Sequence, residues 1–515
     1  MILENGVVRT MDAALPEAAA LAIAGDRITG GVGTHEEALP TPERVDLGGR
    51  CVLPGFTDSH VHFLMWSLRQ EEVRLEGTSS LEEAVARVAQ AIGDAQPGRW
   101  IRGAGWRSGE WSPSTDPTKD DLDAVSGDVP VALMARDGHS LWLNSAALAV
   151  ADGDLLVPGG VVETDERGHP TGVLREESAW EFRRRHVFAR LPEEDWDHLL
   201  RGALQTAAAR GVIAIHDKDG WLGALGRFQR LHDDQALTLR VWQSHPADRL
   251  DELAGLGISS GFGDDMLRLG YLKAFMDGTL GSETARLLDG SGVEITSREE
   301  LEEFIRDGAR AGFPVAVHAI GDLANREALD AFEATKAEWA PLGLRPRIEH
   351  AQLLAEEDIP RFASIGVAAS VQFTHATSDR DLADRIWRDK TTGAYAYGSL
   401  RDAGALIANG SDAPVEELDP WAGVCAGVLR TWDERPAWHP EQCVTLQDAL
   451  AATTVNPAWL AGDEHRRGKL LPGYLADLVV LDRDPFECEP EELPEVAVVA
   501  TMVGGRWTHN PPPWG

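Results

Sequence analysis

Cysteine is scarce: 4 of 515 residues, at Cys51, Cys425, Cys443 and Cys488, with no CxxC pair among them. That scatter argues against a disulfide frame or a cysteine zinc knuckle, and the four read as reduced, buried thiols. Basic residues are also short, 48 Lys and Arg against 84 Asp and Glu, for a net charge of −36 and a pI near 4.8. A chain this acidic repels phosphate backbones and anionic bilayers, so neither a nucleic-acid nor a membrane surface is expected. The surplus charge reads as a solubility device and does not by itself imply a cationic substrate. No apolar run approaches the ~20 residues that span a bilayer. The opening MILENGVVRTMD lacks a basic stretch followed by an apolar one, so the cytoplasm is the expected location.

What is present is enough for a large core. With 515 residues and 43% hydrophobic content, two or three domains are expected, one of them large. The first 53 residues read as short strands and turns: Ile2-Leu3, Val7-Val8, the run 20–23, then 50–53 ahead of Pro54-Gly55. The tail offers matching β-rich pieces at 473–481 and 496–503, the second stopping at Gly504-Gly505. Two β-rich ends around a long middle suggest one small sheet domain built from 1–53 plus 465–515. Between them, 54–464 alternates strand-like and helix-like runs, which argues for a parallel α/β fold. Candidate strands lie at 56–62, 212–217, 237–244, 267–275, 314–318, 347–350, 367–372 and 405–411. Eight such strands are what a TIM-type (β/α)8 barrel needs.

A long insertion, about 66–190, separates the first two candidate strands. It contains a helical run at 81–92, strand-like runs at 99–103 and 130–134, and turn-rich stretches at 108–116 and 164–170. Insertions after a barrel strand emerge at the active face, so this one is read as a lid that shapes the substrate pocket. Trp66, Trp106 and Trp142 are candidates to line it, although with 17 tryptophans in the chain many must be ordinary core.

The chemistry gathers at strand ends. In PGFTDSHVHF, His60 and His62 alternate by two and so share one face of a strand, within reach of one metal ion. His318, His350 and Asp412 each end or follow another strand, and barrel strands finish at one mouth. Imidazole and carboxylate donors suit a divalent metal, zinc first, with iron, cobalt and manganese also served by such a set. Asp412 would bind a metal and shuttle the proton of the attacking water, its bland alternative being a cap for the turn at Ala413-Pro414. His216 and Asp217 are read as near the same mouth, either supporting the site or forming a turn.

PGFTDSHVHF, YLKAFMDGTLGSETA, VAVHAIGD, RIEHAQLL and ANGSDAPVE, in that order, resemble the amidohydrolase superfamily, in the branch that includes N-substituted formamide deformylases. The resemblance covers nearly the whole chain. It implies a composite β-sandwich from both termini, for which PGYLADLVVLD resembles the signature. It also implies one or two metals. Lys273 matches the lysine that, in binuclear members, carries a CO2-derived carboxylate and bridges the pair. The alternative is a neutral or ion-paired Lys273 beside a single metal. The segment 137–144 resembles the branch as well, where His139 would donate to the substrate carbonyl or tie the lid together. The expected activity is hydrolysis of a non-peptide C–N bond, in an N-substituted amide or formamide, by a metal-activated hydroxide. The alternatives are an aminohydrolase and a silent barrel used as a binding scaffold. Against deamination, Ala319-Ile320-Gly321-Asp322 follows His318 where deaminases usually carry His-x-x-Glu. The expected partner is a small-molecule substrate, with a homodimer left open.

Overall fold

The computed structural model describes residues 1–514 apart from 30–31, 34–42, 95–98, 137, 139, 152 and 190. His139, a candidate catalytic residue, therefore lies outside the described residues. The described part forms two units, Met1–Trp66 with Arg201–Gly515, and Ser67–Leu200.

The first unit contains the barrel. Eight parallel strands follow one another in chain order: Phe56–Val61, Val212–Asp217, Arg240–Pro246, Leu267–Phe275, Val315–Ala319, Arg347–His350, Ala368–Val371 and Ile407–Asn409. Each is flanked by buried surface on both faces, so strands such as VIAIHD are buried throughout and read as runs without alternation. The helices between them are amphipathic. Arg298–Ala311 starts at a Ser297–Glu300 capping box, buries Leu301, Ile305, Gly308 and Ala309 on one stripe, and stops at Gly312 with φ +78°.

Strands one and eight meet where the site is built. The Asp412 N–H donates to the His60 carbonyl (2.7 Å) and the His62 N–H to the Ala413 carbonyl (2.8 Å). Asp58 Oδ1 accepts from the N–H groups of His60 and Ser411, both at 3.0 Å, so one buried carboxyl knits the two strands. Gly410 permits the approach: a Cβ there would stand 2.4 Å from the His60 nitrogen.

Both chain ends contribute to a second, eight-stranded sheet in the same unit. Leu478–Leu481 runs antiparallel to Cys51–Pro54, pairing Val480 with Val52, and Ile2–Arg9 lies parallel on the other side of Cys51–Pro54. Its core is Leu3, Val8, Leu21, Ile23, Val52, Leu478, Val480 and Met502. Buried Arg240 reaches both oxygens of Asp477 at 2.8 Å, which ties the start of barrel strand three to this sheet.

The insertion unit has its own six-stranded sheet, ordered Gly160–Thr164, Pro170–Glu176, Ser140–Leu143, Val131–Ala135, Ile101–Trp106, Val73–Arg74. The turn-rich stretch at 164–170 is the loop of its outer hairpin. Trp106 and Trp142 do not line a pocket; with Trp111 they form this unit's core, their ring centroids 6.2–6.4 Å apart. Their indole N–H groups donate to the Leu133 and Thr118 carbonyls, a packing role that tryptophan takes when both its faces are covered. Among the described residues, no helix is long and apolar enough to cross a membrane.

Candidate active site

Four imidazoles collect at the C-terminal ends of strands one, five and six. Ring centroids are 5.8 Å apart for His60 and His62, 4.7 Å for His60 and His350, and 4.5 Å for His318 and His350. In each ring one nitrogen is committed to an acceptor. His60 Nδ1 donates to Glu349 (2.8 Å), His62 Nδ1 to Asp219 (3.0 Å) and His350 Nδ1 to Gln372 Oε1 (2.8 Å). His318 uses its other nitrogen, Nε2, which donates to the Gly278 carbonyl at 2.9 Å. A neutral ring that donates from one nitrogen presents a lone pair at the other, so each of the four could offer a nitrogen to a cation.

Burial favours that neutral state. It pushes His318 down to about 3, with the Lys273 charge adding to it, and holds His60 and His350 below the ordinary imidazole value. His62 differs: burial also pushes it down, but Asp219 and Asp412 carry it above the usual value. It is also the open member, with 30% of its side chain exposed against 1% for His60.

Asp412 faces this group. Its Oδ1 lies 3.2 Å from His60 Nε2 and 3.5 Å from His62 Nε2. Burial alone would raise its pKa, but His60, His350 and His62 outweigh that and hold it well below the carboxylate range. The backbone is left-handed at Asp412 (φ +56°) and at His350 and Ala351 (φ +75° and +45°). The turn at His350 matters. Strand alternation sends Arg347 and Glu349 into the barrel, so His350 would point outward were the chain not bent there.

Lys273 pairs with Ala316, two residues before His318, and so shares the interior face with it. Its Nζ is buried, has no hydrogen-bond partner among the described residues and sits 4.6 Å from the Phe275 ring centroid. Burial pushes this amine down to about 8. Inward lone pairs, a carboxylate and an unpartnered buried amine fit a divalent metal centre. Two groups of cation donors share Asp412 among the described residues: His60 and His62 with Asp412, and His350 and His375 with Asp412.

His216 stands elsewhere. It pairs across strands with Trp242, and its Nδ1 accepts from Arg347 at 2.9 Å. That guanidinium also donates to Glu349 (2.9 Å), the acceptor of His60, so His216 meets the cluster at one remove. Asp217 accepts from the Phe63 N–H (3.0 Å) and from Gln243 (2.8 Å), and fixes the chain just past His62.

Several site residues escaped the sequence reading. Glu349 accepts from His60, Lys218 (2.6 Å) and Arg347 (2.9 Å), a buried carboxylate compensated on every side. Asp219 accepts from His62 and from the Leu64 N–H (2.8 Å). The signal was the charged run Asp217-Lys218-Asp219 ending an apolar strand, and Glu349 beside His350. Asp277 accepts from the N–H groups of Ile320 and Gly321 (3.0 and 2.8 Å), joining the loops after strands four and five.

The amidohydrolase family model matches residues 43–509. Protein LONG AFTER FAR-RED 3 of Arabidopsis thaliana is 32% identical over 98% of this chain and 91% of its own length. The N-substituted formamide deformylase of Arthrobacter pascens is 28% identical over 98% of this chain and 97% of its own. The crystal structure of an uncharacterized metal-dependent hydrolase from Pyrococcus furiosus superposes with a TM-score of 0.79 at 30% identity, covering 94% of this chain and 99% of that one.

Proposed function

The chain belongs to the amidohydrolase family, and from that membership we propose that its barrel mouth hydrolyses a non-peptide C–N bond in an N-substituted amide or formamide. The observation that carries the reading is Asp412, an ionised carboxylate held against two imidazoles whose lone pairs face it. The likeness to a formamide deformylase supports the substrate class. His60, His62, His318, His350 and Asp412, with Lys273, would hold one or two divalent metals, zinc in the first instance. A metal so bound makes water acidic enough to attack at neutral pH and polarises the substrate carbonyl. Asp412 accepts the proton that the attacking water gives up and returns it to the leaving nitrogen. Glu349, Asp219, Gln372 and the Gly278 carbonyl hold the four rings in the tautomer that ligation requires.

The aminohydrolase alternative is weakened by Asp322. Its Oδ1 accepts from the Leu288 and Leu323 N–H groups (2.8 and 3.0 Å), which occupies it in the loop at a helix start. The test is a hydrolysis screen of N-substituted formamides, acylated amino acids, cyclic imides and carbamates with zinc-, iron-, cobalt- and manganese-loaded protein. Amine release from a formamide or amide, lost on chelation and restored by metal, is the expected result. Ammonia release from ring amidines would move the reading to deamination, and full metal without turnover to a scaffold.

Glu349→Gln is expected to weaken metal binding about 10–100-fold, the usual scale for a residue that orients a ligand. The neutral amide keeps the shape but leaves Lys218 and Arg347 without their counter-charge. Competition with a chromogenic chelator reads the change, and an unaltered affinity would remove Glu349 from this role.

A further inference from the structure

Strand seven leads through Gln372-Phe373-Thr374 into His375, which opens the single turn His375–Ser378. The His375 ring is buried and lies nearly parallel to His350, 6.3 Å away at 9°. Its Nε2 has no hydrogen-bond partner among the described residues and stands 3.9 Å from Asp412 Oδ2. Its Nδ1 lies 3.1 Å from Gln352 Nε2. With the Gln352 amide placed so, its nitrogen donates, Nδ1 accepts and the ring proton resides on Nε2, while Gln352 Oε1 is buried with no hydrogen-bond partner among the described residues.

This reverses the pattern of its neighbours. His60, His62, His318 and His350 each face an acceptor on the outside and turn a lone pair inward. His375 faces a donor on the outside and turns an N–H inward. A buried N–H without a partner is destabilising and is retained where something else supplies the acceptor. At 3.9 Å the Asp412 oxygen is too far to be that acceptor, but an atom held beside the carboxylate is within reach.

We infer that His375 is a catalytic residue that donates its Nε2–H to the substrate carbonyl oxygen, on the reading that this site hydrolyses an amide. As the water oxygen bonds to the carbonyl carbon, the C=O π pair moves onto that oxygen and the water proton passes to Asp412. His375 keeps its proton and stabilises the new negative charge. The C=O bond then re-forms, the C–N bond breaks, and Asp412 returns its proton to the departing nitrogen. A fixed donor aimed at developing charge is worth most in such a buried site.

The test uses zinc-loaded full-length protein and inorganic phosphate as a tetrahedral anion, titrated calorimetrically. His375→Ala is expected to weaken phosphate binding by about 10-fold or more with zinc content unchanged. On the best amide from the screen it should lower kcat by about 100–1,000-fold with KM within a few-fold. Gln352→Glu keeps the ring in place but offers an acceptor to Nδ1, which draws the proton off Nε2. It should reproduce both losses even where the alanine variant folds poorly. Loss of zinc in His375→Ala would instead make His375 a ligand and overturn the inference. So would unchanged phosphate affinity, no phosphate binding by the unmodified protein, or a Gln352→Glu variant that behaves like it. If the unmodified protein hydrolyses no amide, the proposed activity fails while the phosphate titration still decides on the donor.

Discussion

Asp412→Asn is expected to lower kcat by at least about 100-fold while most of the metal stays bound. Asparagine keeps the size and one ligating oxygen but cannot take a proton. It also tolerates the left-handed backbone at this position, φ +56°, better than most residues, so the fold is not asked to change. The carboxylate is ionised across the neutral range because His60, His350 and His62 outweigh its burial. Its availability as a base therefore does not limit the reaction near pH 7. Turnover and metal content must be measured on the same preparation. Full activity with metal in place would transfer the proton to another group.

Replacing Lys273 with alanine is expected to reduce bound metal from about two per chain to about one, with activity falling alongside. An amine pushed down to about 8 from an ordinary 10.5 has roughly 300 times more of its neutral, CO2-reactive form at pH 7 than a free lysine. Among the described residues nothing bonds to that nitrogen, although burial without a partner is unfavourable. A carboxylate built on it would supply the missing oxygens to two cations at once. Elemental analysis, repeated after soaking the variant with a short carboxylic acid, reads both the loss and its partial repair. Two metals per chain in the untreated variant would end the bridging role.

The barrel was legible because parallel strands buried on both faces leave continuous apolar runs, and all eight candidate runs overlap a barrel strand. Strand ends shift by a few residues where propensity fades gradually, as at Arg240–Pro246. The insertion was less legible: Ser140–Leu143 and Gly160–Thr164 are short and carry no clear alternation, and both are held in the sheet by pairing with Pro170–Glu176. Within the site, residues that end strands could be read from their position. Glu349 and Lys218 left only a charge at a strand end and His375 not even that, because their importance lies in which atom they face across the barrel, a relation that one strand's sequence does not contain.

The bent backbone at His350 and Asp412 has an evolutionary consequence. Left-handed conformation disfavours an L residue with a full side chain by about 1–2 kcal/mol, a cost that the His350 hydrogen bond to Gln372 offsets only in part. Drift away from function at these positions therefore runs downhill: glycine in place of His350 relaxes the chain and ends ligation in a single step. The return is uphill, since the ring must be regained together with the strain. Descendants of this scaffold that lose their chemistry should thus tend to stay silent and grow sturdier, and a robust but inactive barrel is the natural resting point of such a lineage.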